Sequence, residues 1–249
     1  MQVDILAIGV HPDDIELCCS GTLAAEIAAG ARVGLLDLTE GELGTNGNVE
    51  TRRAEAKNAL KILGADWRIN LGMRDGFFEL NEAHILPIAR IIRLCRPEIV
   101  LCNAPSDRHP DHGRAARLIY EASFYSGLSK ITLHDDLGNE LERFRPHLTL
   151  NYIQDHFHQP DLVIDISAHF KSKIASLQAY ATQFSAPGDN KNLISTPISG
   201  NDFWLFVEAR AREMGRLIGV EFGEGFLCAV PLKFNSLYKQ LKYPYSSNI

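Results

Sequence analysis

The stretch that most constrains this chain is a short apolar run, Ile5-Leu6-Ala7-Ile8-Gly9-Val10, closed at once by His11-Pro12-Asp13-Asp14. So short a run, bounded by a polar cluster, fits a strand buried on both faces, the kind found in parallel sheets. Such strands deliver functional groups at their carboxyl ends. The pattern recurs where Ile99-Val100-Leu101-Cys102 leads into Asp107-Arg108-His109-Pro110-Asp111-His112. Two His/Asp-rich turns at the ends of two strands can meet above one sheet. There they offer imidazole and carboxylate ligands to a metal, with carboxylates left over for proton transfer. A single His-x-x-Asp would as readily cap a helix, but the pair in matching contexts favours a site.

Strands and helices alternate from that point. A strand over residues 4–9 precedes helical periodicity over 15–29, which stops at Gly30, a residue suited to a left-handed cap. A second strand over 33–38 enters a loop over 39–48 whose three glycines predict a mobile active-site segment. A helix over 51–63, a strand over 67–71, a helix over 82–95, a strand over 98–103 and a helix over 112–126 follow. This order predicts an α/β fold with a Rossmann-like, mostly parallel sheet and helices on both faces. Its ligand site belongs beyond the carboxyl ends, at the topological switch point. The second half is less regular, with strands expected over 148–153 and 162–166, helices over 168–182 and 203–217, and a loop over 185–192. No repeat or linker divides the chain. It reads as a single domain over 1–249, with a core over 1–127 and a C-terminal elaboration over 128–249.

Composition narrows the function classes. The 249 residues are 45% hydrophobic and 22% charged, as in a soluble globular chain. A net charge of −6 lacks the basic footprint of a nucleic-acid binder, so an anionic substrate must be met by local Arg or Lys. Cys18, Cys19, Cys95, Cys102 and Cys228 show no Cys-x-x-Cys spacing, which predicts reduced core thiols and a cytoplasmic location. The N-terminus enters a strand with no basic flank or cleavage site, so no signal peptide is expected. No apolar run approaches the roughly 20 residues that span a membrane. The absence of Gly-x-Gly-x-x-Gly after the first strand argues against a dinucleotide.

Together with Thr51-Arg52-Arg53-Ala54-Glu55-Ala56, the two turns resemble those of the LmbE-like, or PIG-L, zinc-dependent N-acetylglucosaminyl deacetylases. The similarity continues through Asn151-Tyr152, Phe157-His158-x-Pro160, Ile164-Asp165-Ile166-Ser167, Tyr180-x-x-Gln183-Phe184 and Glu224-Gly225-Phe226, and so covers nearly the whole chain. The branch it resembles most is the bacillithiol-biosynthesis deacetylases, which remove acetate from N-acetylglucosaminyl malate. The resemblance implies a small-molecule N-acetylglucosaminide substrate and one zinc per chain, with ferrous iron as the alternative ion. A homo-oligomer with no nucleic-acid or membrane partner is expected. A deacetylase of another amino-sugar, such as a chitooligosaccharide or an inositol conjugate, is the alternative within the class. A non-catalytic sugar-binding Rossmann-like protein is the alternative outside it.

Amide hydrolysis needs an activated water, a stabilised oxyanion and a proton for the leaving amine. A catalytic zinc has three protein ligands and an open position for water. The resemblance assigns His11, Asp14 and His112 to the metal and leaves Asp13 as the general base that later protonates the amine. The division is chemically sensible, because adjacent carboxylates diverge. Either aspartate could instead cap the following helix. His109, oriented by the carboxylate of Asp111, is expected to polarise the acetyl carbonyl and stabilise its oxyanion. A zinc ligand is the alternative for His109, and a capping or supporting role the alternative for Asp111. Arg52 matches the family's substrate-binding arginine; otherwise it is a solvated helix charge. Asp75 is a candidate acceptor for a sugar hydroxyl or a residue that holds its own turn. Arg108 is placed at the carboxylate of an acidic aglycone or in solvent, and His158 on the pocket wall. His84, His134, His147, His156 and His169 are read as surface or structural residues. Phe203-Trp204-Leu205-Phe206 is read as packing a helix on the core, and no tyrosine is singled out.

Overall fold

The N-terminal apolar run forms β1 (Ile5–Gly9), all five residues buried, in the interior of a seven-stranded sheet. The structure is a computed structural model that describes residues 1–184, 194, 196–198 and 200–233. Its elements follow in the order α1 (Asp14–Ala28), β2 (Val33–Thr39), α2 (Val49–Leu63), β3 (Trp67–Met73), α3 (Glu82–Cys95), β4 (Ile99–Cys102) and α4 (Pro110–Tyr125). The second half adds β5 (Leu148–Tyr152), β6 (Leu162–Asp165), α5 (Phe170–Gln178), α6 (Asn201–Ile218) and β7 (Gly223–Cys228). The loop expected over 185–192 lies outside the described residues.

The sheet order is β3-β2-β1-β4-β5-β7-β6. The first five are parallel, whereas β7 runs antiparallel between β5 and β6. This is the mostly parallel α/β architecture expected. Alternation along β1 feeds two cores: Leu6 and Ile8 pack with Ile88 and Ile92 of α3 and with Leu118 of α4, while Ile5 and Ala7 pack with Ile15 and Leu23 of α1. Helices therefore cover both faces. The connection from β1 leads outward to β2, and β4 lies on the other side of β1, so the switch point falls between β1 and β4. Both His/Asp turns leave the sheet there.

One strand escapes the sequence reading. In β7, Gly223 and Gly225 dilute the strand pattern, but the sheet requires them. A Cβ on Gly223 would lie 2.7 Å from Val163 Cγ1, and one on Gly225 would lie 2.9 Å from Met214 Sδ. The helix expected over 168–182 is shorter in the structure, ending at Gln178 before the turn that carries Gln183. All five cysteines are free thiols. Among the described residues no helix is long and apolar enough to cross a membrane.

Candidate active site

The two turns bring His11, Asp13 and Asp14 from the end of β1 beside His109 and His112 at the start of α4. Together they line a cleft of about 350 Å³ with Arg52, Asp75, Arg108 and Gln154. Asp13 occupies the N-cap position of α1 with φ 132°, an unusual conformation for a non-glycine residue, and its side chain makes no capping bond. Asp14 does not cap either. Its Oδ2 accepts the amides of Val10 and His11, both at 3.0 Å, and Asn103 Nδ2 at 2.9 Å, which locks the turn around the carboxylate.

The histidine rings cluster, with centroids 4.7 Å apart for His11 and His109 and 5.2 Å apart for His109 and His112. Among the described residues, two groups each bring ligand atoms within 4.8 Å of one another: His11, His109 and His112, and His11, Asp75 and Asp111. The hydrogen bonds behind the rings differ. Asp75 Oδ1 sits 3.0 Å from His11 Nε2, leaving Nδ1 toward Asp14 Oδ2 at 3.8 Å. Asp107 Oδ2 sits 2.5 Å from His112 Nδ1, leaving Nε2 3.3 Å from Asp14 Oδ1. A carboxylate on the rear nitrogen is the usual support of a metal-binding imidazole. His109 lacks one; its Nδ1 accepts the Asp111 amide at 3.3 Å, so the neutral ring carries its proton on Nε2. The carboxylate of Asp111 does not orient His109, contrary to the sequence expectation. It is fully buried and accepts Gly76 N at 2.9 Å and Arg114 Nη1 at 2.8 Å, with Oδ2 3.8 Å from His11 Nε2.

The electrostatics favour a cation here. Burial opposes charge on His11, yet the carboxylates of Asp111 and Asp75 raise its pKa to about 10. Burial likewise opposes charge on His112, but Asp14 and Asp107 raise it to about 9. Burial alone would raise Asp14, but His112 and His11 hold it well below the usual carboxylate range. His109 is lowered by burial and by its two histidine neighbours. Burial pushes Asp13 up to about 7, against the pull of Arg52. Imidazoles and a carboxylate in strongly anionic surroundings are a donor set that suits zinc or ferrous iron.

Arg52 is buried rather than solvated. Its Nη1 lies 3.8 Å from Asp13 Oδ2, and its Nη2 donates to Gln183 Oε1. The glycine-rich loop closes on it: a Cβ on Gly41, where φ is +65°, would lie 2.5 Å from Arg52 Nη1. Asp75 spends its second oxygen on the amide of Leu43 at 3.1 Å, so it fastens that loop as well as His11. Arg108 is on the cleft wall, part-exposed and paired with Asp155 at 3.2 Å. His158 is not among the lining residues; its Nε2 holds the Ser106 carbonyl at 2.7 Å.

Sequence reasoning assigned no role to Asp107, Gln154 or Gln183. Asp107 stood inside the second turn and Gln183 inside the Tyr180-x-x-Gln183-Phe184 pattern, so each was within a recognised segment. Gln154 follows the carboxyl end of β5, where position alone recommends a look. Its Oε1 accepts Asn103 Nδ2 at 3.1 Å and Ala104 N at 3.0 Å, which aims its Nε2 at Asp14 Oδ1, 3.2 Å away.

Known proteins share this chain's fold and much of its sequence. The PIG-L family, described as GlcNAc-PI de-N-acetylase, matches residues 6–123, the stretch that carries both turns. The chain is 30% identical over 190 residues to the diacetylchitobiose deacetylase of Thermococcus kodakarensis, covering 72% of this chain and 70% of that protein. It is 40% identical over 126 residues to YaiS of Escherichia coli, described as an uncharacterized deacetylase; that match covers 48% of this chain and 65% of YaiS, just under two thirds of its length. The crystal structure of the conserved protein TT1542 from Thermus thermophilus superposes with a TM-score of 0.82 at 35% identity, covering 94% of this chain and 97% of that one. Sequence turns, sheet topology and these matches lead to one conclusion: the chain belongs to the PIG-L family.

Proposed function

We propose that the protein is a metal-dependent amidohydrolase that removes the acetyl group from an N-acetylglucosaminide. The observation that carries this reading is the division of labour in the cleft. His11 and His112 each have a carboxylate behind the ring and a nitrogen turned toward Asp14, while Asp13 and His109 stand beside them without such duties. His11, Asp14 and His112 would hold the ion. A zinc or ferrous ion bound there supplies Lewis acidity, lowering the pKa of water and polarising a carbonyl.

The chain's own residues do the rest. Asp13, with its pKa near neutrality, takes a proton from the attacking water as oxygen adds to the acetyl carbon. The Nε2–H of His109 donates to the carbonyl oxygen as negative charge develops on it. When the C–N bond breaks, Asp13 returns the proton to the amine, so acetate and a free amino-sugar leave. Arg52 faces Asp13 and the loop that roofs the cleft, and so holds the base in place as the charge moves.

The proposed substrate is N-acetylglucosaminyl malate, the intermediate of bacillithiol biosynthesis, with Arg108 meeting the acidic aglycone. A chitooligosaccharide is the second reading, favoured by the similarity to the diacetylchitobiose deacetylase. Acetate release should be measured on N-acetylglucosaminyl malate, diacetylchitobiose and an N-acetylglucosaminyl inositol, together with metal analysis of the purified protein. Release from the malate conjugate with the greatest kcat/KM supports the full proposal, and preference for another sugar replaces the aglycone. Metal-free protein with no release from any of them would reduce the chain to a sugar-binding module. His112→Ala should lose most of the bound metal while keeping the fold.

A further inference from the structure

A second chamber lies behind the cleft, under α6. It shares Leu17, Gln154 and Asp155 with the cleft as a common wall, and is otherwise lined mainly by apolar side chains, among them Phe203, Val207 and Met214. Its volume is about 50 Å³. A single water needs roughly 10–15 Å³, so the chamber is large enough for a small molecule.

Its lining holds two cations, Lys173 and Arg210, and two carboxylates, Asp155 and Glu224, but they are not paired two by two. Lys173 is paired with Glu224 at 2.6 Å, and the carboxylate of Asp155 is turned to Arg108. Arg210 has no carboxylate partner among the described residues. Its Nη2 donates to the Asp155 carbonyl at 2.6 Å and its guanidinium lies over the Phe206 ring at 4.7 Å. Its Nη1 is buried and makes no hydrogen bond. A buried guanidinium nitrogen without an acceptor is costly, and a carboxylate oxygen is its best complement.

We infer that this chamber is a binding site for a small carboxylate of the size of acetate, seated with its oxygens on Arg210 and its methyl group against Val207 and Met214. The inference rests on the deacetylase reading for the source of the ligand, since acetate is the product released across the shared wall. Acetate is a ligand small enough for a chamber of this volume; butyrate carries the same carboxylate on a chain two methylenes longer and serves as the size control.

The test is calorimetric titration of sodium acetate into the purified protein, with butyrate as the size control. Acetate should bind, butyrate should not, and Arg210→Gln should weaken acetate by about 10- to 100-fold, the range for losing a charge-assisted hydrogen bond. Arg210→Lys should retain part of the affinity. Ala211→Met, which fills the chamber and leaves the guanidinium in place, should abolish binding, and its circular dichroism reports whether the fold survives. His112→Ala should leave the acetate affinity intact. Acetate binding that survives Arg210→Gln unchanged, disappears with His112→Ala, or is equalled by butyrate would place the ligand in the catalytic cleft and overturn the inference. The absence of any binding would also overturn the inference. Failure of wild-type protein to release acetate from every N-acetylated sugar would instead defeat the deacetylase reading, and the titration reports on the chamber independently of it.

Discussion

Asp13 is held in a backbone conformation that L-residues avoid, beside a buried guanidinium, with its carboxyl raised to about 7. Strain of this kind costs on the order of 1–3 kcal/mol and persists only where the surroundings enforce it. A helix cap would not need it, whereas a carboxylate aimed into a cleft does. Asp13→Asn preserves size and keeps Asp14 untouched, so the variant should bind metal normally and lose nearly all turnover, because an amide cannot accept the water's proton. Metal content and acetate release measured on the same preparation check this, and near-normal activity would remove Asp13 from the role of base. His109 is the complementary case. With no carboxylate behind its ring, His109→Ala should retain the metal and lower kcat by roughly 10²–10³, the range for losing one oxyanion donor. A fall in metal content that parallels the loss of activity would place His109 among the ligands.

At the scale of elements, the position of α1 decides where Asp13 and Asp14 stand, and a buried ion pair fastens that helix. Lys173 of α5 donates to the Leu17 carbonyl at 2.6 Å, and Glu224 of β7 accepts the amides of Gly21 at 3.1 Å and Thr22 at 2.7 Å. In an α-helix the Leu17 carbonyl and the Gly21 amide are partners of one rung. Lys173 and Glu224, 2.6 Å apart, thus grip both ends of that rung and tie α1 to the late part of the chain. Glu224→Gln leaves Lys173 buried without its counter-charge, and should cost about 3–5 kcal/mol of stability. Urea unfolding is the measurement. Lys173→Met combined with Glu224→Gln should cost less than the two single changes added together, and strict additivity would show that the pair is not a coupled unit. The glycine-rich loop between β2 and α2 shows the same dependence on distant elements: Asp75, after β3, accepts the Leu43 amide at 3.1 Å, and Gln183 Nε2 donates to the Asn46 carbonyl at 2.8 Å.

For the whole molecule, the net charge of −6 sets the problem that an anionic substrate would face. No general field draws such a substrate in, so a local cation must do so. Arg108 lies on the cleft wall with about half of its side chain exposed, paired with Asp155. An aglycone carboxylate would take over that partnership. Arg108→Ala should therefore reduce kcat/KM for the malate conjugate by about 10- to 100-fold, from the 1.5–3 kcal/mol of a charge-assisted hydrogen bond. Its effect on neutral diacetylchitobiose should be small. Equal losses on both substrates would mean that Arg108 shapes the cleft without reading the acid.

The two turns, their position after apolar strands and the parallel alternation were determined locally. A strand buried on both faces needs a run of apolar residues, and the chain must turn where that run ends, so His11 to Asp14 and Asp107 to His112 declare themselves by spacing alone. Arg52 was also legible as a residue, through the segment that contains it, but its burial was not. What only the tertiary structure decided is which atoms face one another. Asp111 looks like the partner of His109 in the sequence because they are two residues apart, yet its carboxylate is drawn to Gly76 and Arg114. Gln154 reaches Asp14 across 140 positions, and Gln183 reaches Arg52 across 131. β7 is concealed by glycines whose reason lies in Val163 and Met214, side chains of other elements. Hydrophobic periodicity is a property of neighbours along the chain, and it located the sheet; hydrogen-bond partnership depends on distances across the fold, and it completed the site.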